Sequence, residues 1–423
     1  MSTADVTTQP SCADASDPLS LTVQQAIDAI RAALVPIRDQ EQVAIRSSLG
    51  RVLAEECISP IDVPSHTNSA MDGYALAGAD LPPDGVREFR VIATALAGQT
   101  VAEVCTAGEC VRIMTGAPMP PGTDTVVMQE QAEKVGEAQV RIDAGHRVGQ
   151  NVRQAGEDIA QGARVFGPGR VLTAADLGVL ASLGFAELRV HRRPRVAFFS
   201  TGDELRSIGD VLAEGEIYDS NRYSLFALLT EAGVDIIDLG VVRDDRAALA
   251  AAFSHASRVA DVVITSGGVS VGEADYTKEI LANHGKVSFW TIAMKPGRPL
   301  TFGQLGQAMF FGLPGNPVAV MLTFHQFVRP ALRYLVSGDW PTQLVIEARS
   351  RLALKKRPGR FEFVRGILSY DDQGRLSVGP SGAQGSGILT SMSRANCYIL
   401  LAEDCGGVSE GETVSVQPFS TLL

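Results

Sequence analysis

The stretch from 262 to 278, VVITSGGVSVGEADYTK, combines two chemistries that normally exclude each other. An apolar run breaks into a glycine-rich loop whose bare amides suit a phosphate, yet the same loop carries Glu273 and Asp275. A further acid, Asp244, stands in VRDD, residues 242–245. Glycines let consecutive N–H groups face an anion, and a following helix N-terminus adds partial positive charge. A carboxylate ~5 Å from a phosphate oxygen repels it by roughly 3 kcal/mol at an effective dielectric near 20. A bridging Mg²⁺ reverses that sign, because this hard cation binds through one or two carboxylates plus phosphate oxygens. The residues therefore point to a phosphoester carried with a divalent metal held by Asp244 and Asp275. The competing reading is a tight turn before an acid-capped helix, with Asp244 as an N-cap. The loop is not a Walker A, since Gly272 is followed by Glu273 and Ala274, and it contains no G-x-G-x-x-G.

Cations gather elsewhere. MKPGRP (294–299) sets Lys295 and Arg298 on a proline-bracketed turn, which reads either as an oxyanion site or as solvated charge. KKRPGRFEFVRG adds Arg360 and Arg365, although a run such as KKR is usually exposed surface. HTNSAMDGYA (66–75), MTGAPMPPGTD (114–124) and RQAGEDI (153–159) read as polar turns, with Asp72-Gly73 the strongest hairpin signal. The six histidines show no metal-ligand spacing, and there is neither a nucleophile elbow nor H-E-x-x-H.

The elements that must position these loops are clearest between 195 and 336. RVAFFS, VDIIDLGVV, DVVIT, VSFWTIAM and AMFFGL read as strands alternating with helices, ending in one long helix over PVAVMLTFHQFVRPALRYLV. Such near-continuous apolar strands predict a doubly wound parallel sheet covered on both faces, with ligands at the carboxyl ends of its strands. Four loops open on that edge: STGDEL (200–205), VRDD, SGGVSVGEAD and LPGNP (313–317). Upstream, Thr22 and Gln25 form a capping box for an amphipathic helix ending near Pro36, and Thr173 with Asp176 caps another through Leu183. Short β-favouring runs between Gly50 and Gly169 form a β-rich insertion into a discontinuous helical and extended domain. After a linker, SGDWP (337–341), short strands form a small β-barrel or sandwich.

The chain has 423 residues and a formal charge of −11, which argues against nucleic acid or acidic membranes as partners. Six scattered cysteines, at 12, 57, 105, 110, 397 and 405, form no C-x-x-C and fit a reduced, cytoplasmic setting. The polar N-terminus is no signal peptide and is expected to be mobile, and no apolar stretch reaches the ~20 residues of a membrane helix.

Taken in order, NSAMDGYA, RIMTGAPMPPGTDTVV, GQNVRQAGEDI, STGDEL, DSNRYSL, VRDD, TSGGVSVGEADYTK, MKPGRP, FGLPGNPVA, GRFEFVRG and QGSG resemble the molybdenum insertases, the molybdopterin molybdenumtransferase family, which includes the C-terminal domain of gephyrin. The resemblance covers nearly the whole chain after residue 20. It implies four domains: 18–60 with 160–193, the insertion 61–159, an α/β molybdopterin-binding domain 194–337 and a C-terminal β-barrel 341–423. It implies a homodimer whose site is shared between subunits, and Mg²⁺-dependent insertion of molybdate into adenylylated molybdopterin with release of AMP. Contact with the molybdopterin adenylyltransferase and with receiving molybdoenzymes is implied too. Matched by motif, Asp244 and Asp275 would hold metal, and Gly267, Gly268, Ser270 and Gly272 with Pro314, Gly315, Asn316 and Pro317 would cradle the cofactor. Glu204 would orient groups at the same edge. Lys295, Arg298, Arg365 and Ser386 would gather molybdate, and Asp72, Thr115 and Asp158 would close the site from the partner subunit. Two departures stand out: Arg298 where the family usually has Lys, and Thr291 where some relatives carry Lys. The alternatives are a molybdopterin adenylyltransferase, which needs only one domain of this kind, and a gephyrin-like scaffold.

Overall fold

A computed structural model describes residues 20–267, 280–281 and 285–420. The polar N-terminal segment lies outside these residues, as do Gly268, Ser270, Gly272 and Asp275. Most of the helix expected from DYTKEILANHG does so too. The chain forms two compact units, residues 1–40 with 191–423 and residues 41–190.

Helix α1 (Val23–Ala33) opens with the expected capping box. The Thr22 hydroxyl accepts from the Gln25 N–H at 3.1 Å, and the Gln25 side chain accepts from the Thr22 N–H at 2.9 Å. The helix stops at Leu34, which turns extended two residues before Pro36. Ala26, Ile30 and Leu34 are buried among residues of the α/β sheet.

The 41–190 unit holds β1 (Gly73–Leu76), β2 (Val86–Ala95), β3 (Glu109–Ile113), β4 (Thr125–Met128), β5 (Ala132–Lys134) and β6 (Gln139–Asp143) in one sheet of order β4-β1-β3-β2-β6-β5. Alternation along β1 sends Tyr74 and Leu76 to one apolar cluster and Ala75 to the other. Asp72-Gly73 is not a hairpin turn, contrary to the sequence expectation. Gly73 begins β1 and packs so tightly that a Cβ there would lie 2.1 Å from the Val127 carbonyl oxygen, so the glycine serves strand approach. Helix α2 (Ala174–Ser182) carries the predicted Thr173–Asp176 capping box.

The larger unit continues with β7 (Arg195–Thr201), α3 (Ser220–Ala232), β8 (Asp235–Val242), α4 (Arg246–Val259), β9 (Val262–Ser266), β10 (Gly285–Thr291), β11 (Met294–Lys295), β12 (Pro299–Leu305) and β13 (Ala308–Leu313). Its sheet runs β8-β7-β9-β13-β12-β10. The first four strands are parallel, but β12 and β10 pair antiparallel, so the sheet is mixed rather than wholly parallel. The reason is local: the short connections between these last strands permit hairpins, whereas a parallel crossover needs a dozen residues or more. One face packs Phe198, Ile264 and Phe311 against α1, α3 and the final helices. The other packs Phe199, Val263 and Phe310 against Leu249 and Phe253 of α4. The final helix is α5 (Pro317–Thr323) and α6 (Arg329–Ser337) joined by a wider π turn, Phe324–Val328. Pro330 has no N–H to give and its ring crowds the preceding turn; the Arg329 N–H reaches back to the Phe324 carbonyl.

The C-terminal strands are β14 (Ile346–Ser350), β15 (Phe361–Tyr370), β16 (Leu376–Pro380), β17 (Cys397–Leu401) and β18 (Thr413–Pro418), with the short helix α7 (Leu389–Arg394). The order β15-β16-β14-β18-β17 closes through β15–β17 pairing, which resolves the barrel-or-sandwich question as a five-strand barrel. The strand β11 leaves the α/β layer and pairs parallel with β15, Lys295 opposite Glu362. Among the described residues no helix is long and apolar enough to cross a membrane, and Cys57, Cys105, Cys110, Cys397 and Cys405 are free thiols.

Candidate active site

Three strand ends meet at the carboxyl edge of the α/β sheet. Gly267, directly after β9, has φ +86°, and a Cβ there would lie 2.5 Å from the Thr201 carbonyl oxygen at the end of β7. Its N–H donates to the Leu313 carbonyl at 3.2 Å. A Cβ on Gly315 would come within 4.0 Å of the Gly267 Cα, so the glycine and LPGNP loops abut. Asn221, in the first turn of α3, ties them together: its Nδ2 donates to the Ser266 hydroxyl at 2.8 Å and to the Gly315 carbonyl at 2.7 Å. Pro314 is buried, Pro317 opens α5, and the exposed Asn316 is that helix's N-cap residue without a side-chain capping bond. Gly267 and residues 314–317, expected from the resemblance to cradle the cofactor, thus lie together at this edge.

That edge also leaves buried polar atoms without partners among the described residues: Ser200 Oγ, Thr201 Oγ1, Thr265 Oγ1, Asp219 Oδ2 and Asn221 Oδ1. Each such atom costs about 1–3 kcal/mol. None of these five residues was singled out from sequence, although STGDEL and DSNRYSL contain four of them. The usable signal was the placement of hydroxyl residues at the ends of otherwise apolar strands, with Asp and Asn at the start of the helix that follows.

The acids sit at the same edge. The Asp244 N–H donates to Asp203 Oδ1 at 3.3 Å, which joins the VRDD and STGDEL loops. The helix-capping reading of Asp244 does not hold: α4 is capped by Asp245, whose carboxylate accepts from the Ala247 and Ala248 amides. Glu204 is exposed, and its carboxylate folds over Gly202, 2.6 Å from where a Cβ would stand. Carboxylate oxygens suit a hard divalent cation in donor type. No group of three ligand-type side chains occurs among the described residues, so most ligands of a cation held by Asp244 would be water, phosphate oxygens or the Asp275 carboxylate.

The cationic residues lie where the α/β layer meets the barrel. Lys295 is exposed on β11, 3.5 Å from Glu362 of β15. Arg298 is half-buried, and its carbonyl accepts from the Ile292 N–H at 2.8 Å. The Ser386 carbonyl accepts from the Val318 N–H of α5 at 3.1 Å, bringing the QGSG loop to the LPGNP helix. Arg365 is 1% exposed, and burial holds its guanidinium pKa below the ordinary value. Its side chain donates to Ser391 Oγ at 3.1 Å, to the Ala383 carbonyl at 3.3 Å and to the Gly385 carbonyl at 3.0 Å. It braces the loop that carries Ser386, a structural task the sequence did not reveal. Thr291 lies on β10, its carbonyl accepting from the Leu21 N–H at 2.9 Å.

In the 41–190 unit, Asp72 Oδ1 accepts from the Thr115 N–H at 2.7 Å and from its hydroxyl at 2.8 Å. Those two bonds, backbone first, hold the Asp72 carboxyl below its ordinary pKa, with a smaller contribution from Arg112. Asp158 is exposed on another loop, its N–H given to the Val63 carbonyl at 3.0 Å, and no hydrogen bond among the described residues joins it to that pair.

Residues 21–184 match the family described as MoeA N-terminal region (domain I and II), 197–334 a probable molybdopterin binding domain, and 347–419 the MoeA C-terminal region (domain IV). The chain is 42% identical over 404 residues to a molybdopterin molybdenumtransferase of Haemophilus influenzae, spanning 95% of this chain and 100% of that protein. It belongs to the molybdopterin molybdenumtransferase family. A gephyrin of Dictyostelium discoideum is 33% identical over 88% of this chain and 58% of that longer protein. A molybdopterin biosynthesis protein of Pyrococcus horikoshii superposes with a TM-score of 0.77 at 31% identity, over 95% of this chain and 99% of that one. The molybdopterin molybdenumtransferase family thus accounts for all three segments in order, and for the α/β layer and barrel described above.

The Asp72–Thr115 pair makes a pH prediction. A carboxylate with a depressed pKa stabilises the fold above its ordinary titration range, and that contribution is lost as pH falls through the lowered value. Thr115→Val removes the hydroxyl donor but keeps the N–H, so the Asp72 midpoint in an NMR pH titration should rise toward the ordinary carboxylate value. An unchanged midpoint would show that the hydroxyl does not bear on Asp72.

Proposed function

We propose that this protein is a molybdenum insertase: it places molybdenum from molybdate onto the dithiolene of adenylylated molybdopterin, with Mg²⁺ as helper and AMP as the other product. Family membership supports the transfer itself. The observation that carries the finer reading is the joining, at one sheet edge, of a glycine turn, unpaired buried hydroxyls and the acid-bearing STGDEL and VRDD loops, linked by the Asp244 N–H to Asp203 Oδ1 bond. Hydroxyl and amide donors suit phosphate oxygens, and acids beside a phosphate are tolerable when a divalent cation lies between them.

Asp244, with Asp275, would hold that cation, which supplies charge neutralisation at the phosphoester when bound. The chain's own residues do the remaining work. Gly267 brings backbone close to the ligand, Asn221 locks the two loops in register, and Lys295, Arg298 and Ser386 offer cationic and hydroxyl donors to a tetrahedral oxyanion. Arg365 acts through the loop it braces. The free thiols support a reducing, cytoplasmic setting.

A homodimer with a shared site fits the surface. Helix α3 exposes Tyr223 and Phe226, and the segment before it exposes Ile208, Val211, Ile217 and Tyr218, apolar side chains that a second copy would cover. Asp72, Thr115 and Asp158 would then complete the site from the partner.

Two measurements test this reading. Purified protein given adenylylated molybdopterin, Mg²⁺ and molybdate should release AMP only when molybdate is present. Asp244→Asn should slow that release by about 10- to 100-fold and recover in part at raised Mg²⁺; full activity at low Mg²⁺ would remove Asp244 from metal binding. For assembly, Phe226→Asp should convert a dimer to a monomer in light scattering with the circular dichroism unchanged. A wild-type monomer, or an unaffected variant dimer, would reject the α3 interface.

A further inference from the structure

We propose that a cleft between α3, the final helix and the barrel is a second ligand site, which takes a small carboxylate carried on an aromatic body.

The cleft has a volume of about 700 Å³, within the range of about 300–1,000 Å³ typical of small-molecule sites. It lies away from the sheet edge described above. Leu228 and Glu231 line it from the C-terminal half of α3, and Glu231 stands about 15 Å along the helix from Asn221. Helical periodicity also turns both away from Phe226. Met321, His325 and Arg329, spaced four apart, line it from the final helix. Met392 of α7 and Phe419, after β18, line it from the barrel. The Phe419 and His325 rings pack with centroids 5.5 Å apart, and the two methionine thioethers suit an aromatic guest, being adaptable in shape and favourable against ring edges.

Two donors give the cleft its selectivity. Arg329 is exposed, and its guanidinium makes no hydrogen bond or ion pair among the described residues. The His325 Nδ1 lies 3.0 Å from the Tyr398 hydroxyl, whose other neighbour is the Met392 sulfur at 3.8 Å. An imidazole nitrogen is a better acceptor than a thioether, so the phenol proton goes to Nδ1 and the neutral ring carries its own proton on Nε2. Burial and the nearby Arg329 push the His325 pKa down to about 4, which keeps the ring neutral near pH 7 and sets the Arg329 charge close to it. Nε2 has no protein partner among the described residues and is not among the buried unpaired atoms, so it opens into the cleft. An N–H and an unpaired cation thus face one space with apolar walls. A carboxylate accepts from both, and its bond to Arg329 is charge-assisted. Glu231 is exposed and makes no ion pair with Arg329, so solvent screens it. A free carboxylic acid and an α-amino acid share the required head and body, and Glu231 would add a partner only for the second.

The test titrates 3-phenylpropanoate and, separately, L-phenylalanine into the full-length protein by calorimetry. NMR follows the His325 ring signals, assigned from the His325→Phe variant. At least one of the two compounds should bind wild type, move the His325 signals and resist displacement by AMP. For that compound, Arg329→Gln, at an exposed position, should raise the dissociation constant about tenfold or more, as for the loss of one charged hydrogen bond. The alcohol 3-phenylpropanol should bind wild type correspondingly weakly, and His325→Phe should cause a smaller loss. Tighter binding of phenylalanine, with the advantage lost in Glu231→Gln, would identify an amino acid as the carboxylate. Neither compound binding at millimolar concentration, an affinity unchanged in Arg329→Gln, or displacement by AMP would each overturn the assignment.

Discussion

The structure turns on a steric limit at the carboxyl edge of one sheet. Where β7, β9 and β13 end, the backbone of Gly267 comes so close to the Thr201 carbonyl that no side chain fits. Close approach brings three loops within reach of one another, and the Asn221 amide binds two of them to α3. The same crowding buries hydroxyl, amide and carboxylate oxygens with no partners among the described residues. Protein interiors rarely tolerate such atoms, and where several collect in one place they mark a surface shaped for a polar ligand.

The polarity of the edge is divided. Hydroxyls lie beside the glycine turn, acceptors at the start of α3, and acids on the neighbouring VRDD and STGDEL loops. A uniform phosphate cradle would not contain the acids of the VRDD and STGDEL loops. The barrel contributes differently. It is joined to the α/β layer by β11 and by the Ser386–Val318 bond, and Arg365 stiffens the joining loop from within. Its charge is spent on carbonyl oxygens, so its influence on the oxyanion passes through Ser386.

Much of this was legible in the sequence because the signals were local. The capping boxes at Thr22 and Thr173, the glycine stop at Gly233 and the apolar strands of the α/β layer all depend on neighbours within a few residues. The ordered motifs carried the family. What escaped depended on tertiary placement. Asp72-Gly73 has hairpin chemistry, yet Gly73 is there because β4 passes within contact of its Cα. Asp244 and Asp245 are indistinguishable as caps until the start of α4 is known. Antiparallel β10 and β12 have the same apolar character as the parallel strands beside them. Arg365 reads as one more cation for molybdate, and only barrel closure shows that it is buried and bonded to carbonyl oxygens. His325 belongs with these: its Nδ1 lies 3.0 Å from the Tyr398 hydroxyl, and burial, with Arg329 nearby, pushes its pKa down to about 4. It is half-buried and packs against the rings of Tyr398 and Phe419.

The most direct measurement is a crystal soaked with AMP, Mg²⁺ and molybdate. The account predicts nucleotide phosphate density beside Gly267, with Thr201 or Thr265 hydrogen-bonded to it and the cation on Asp244. Nucleotide bound elsewhere, with those hydroxyls still unpaired or bridged only by water, would contradict it.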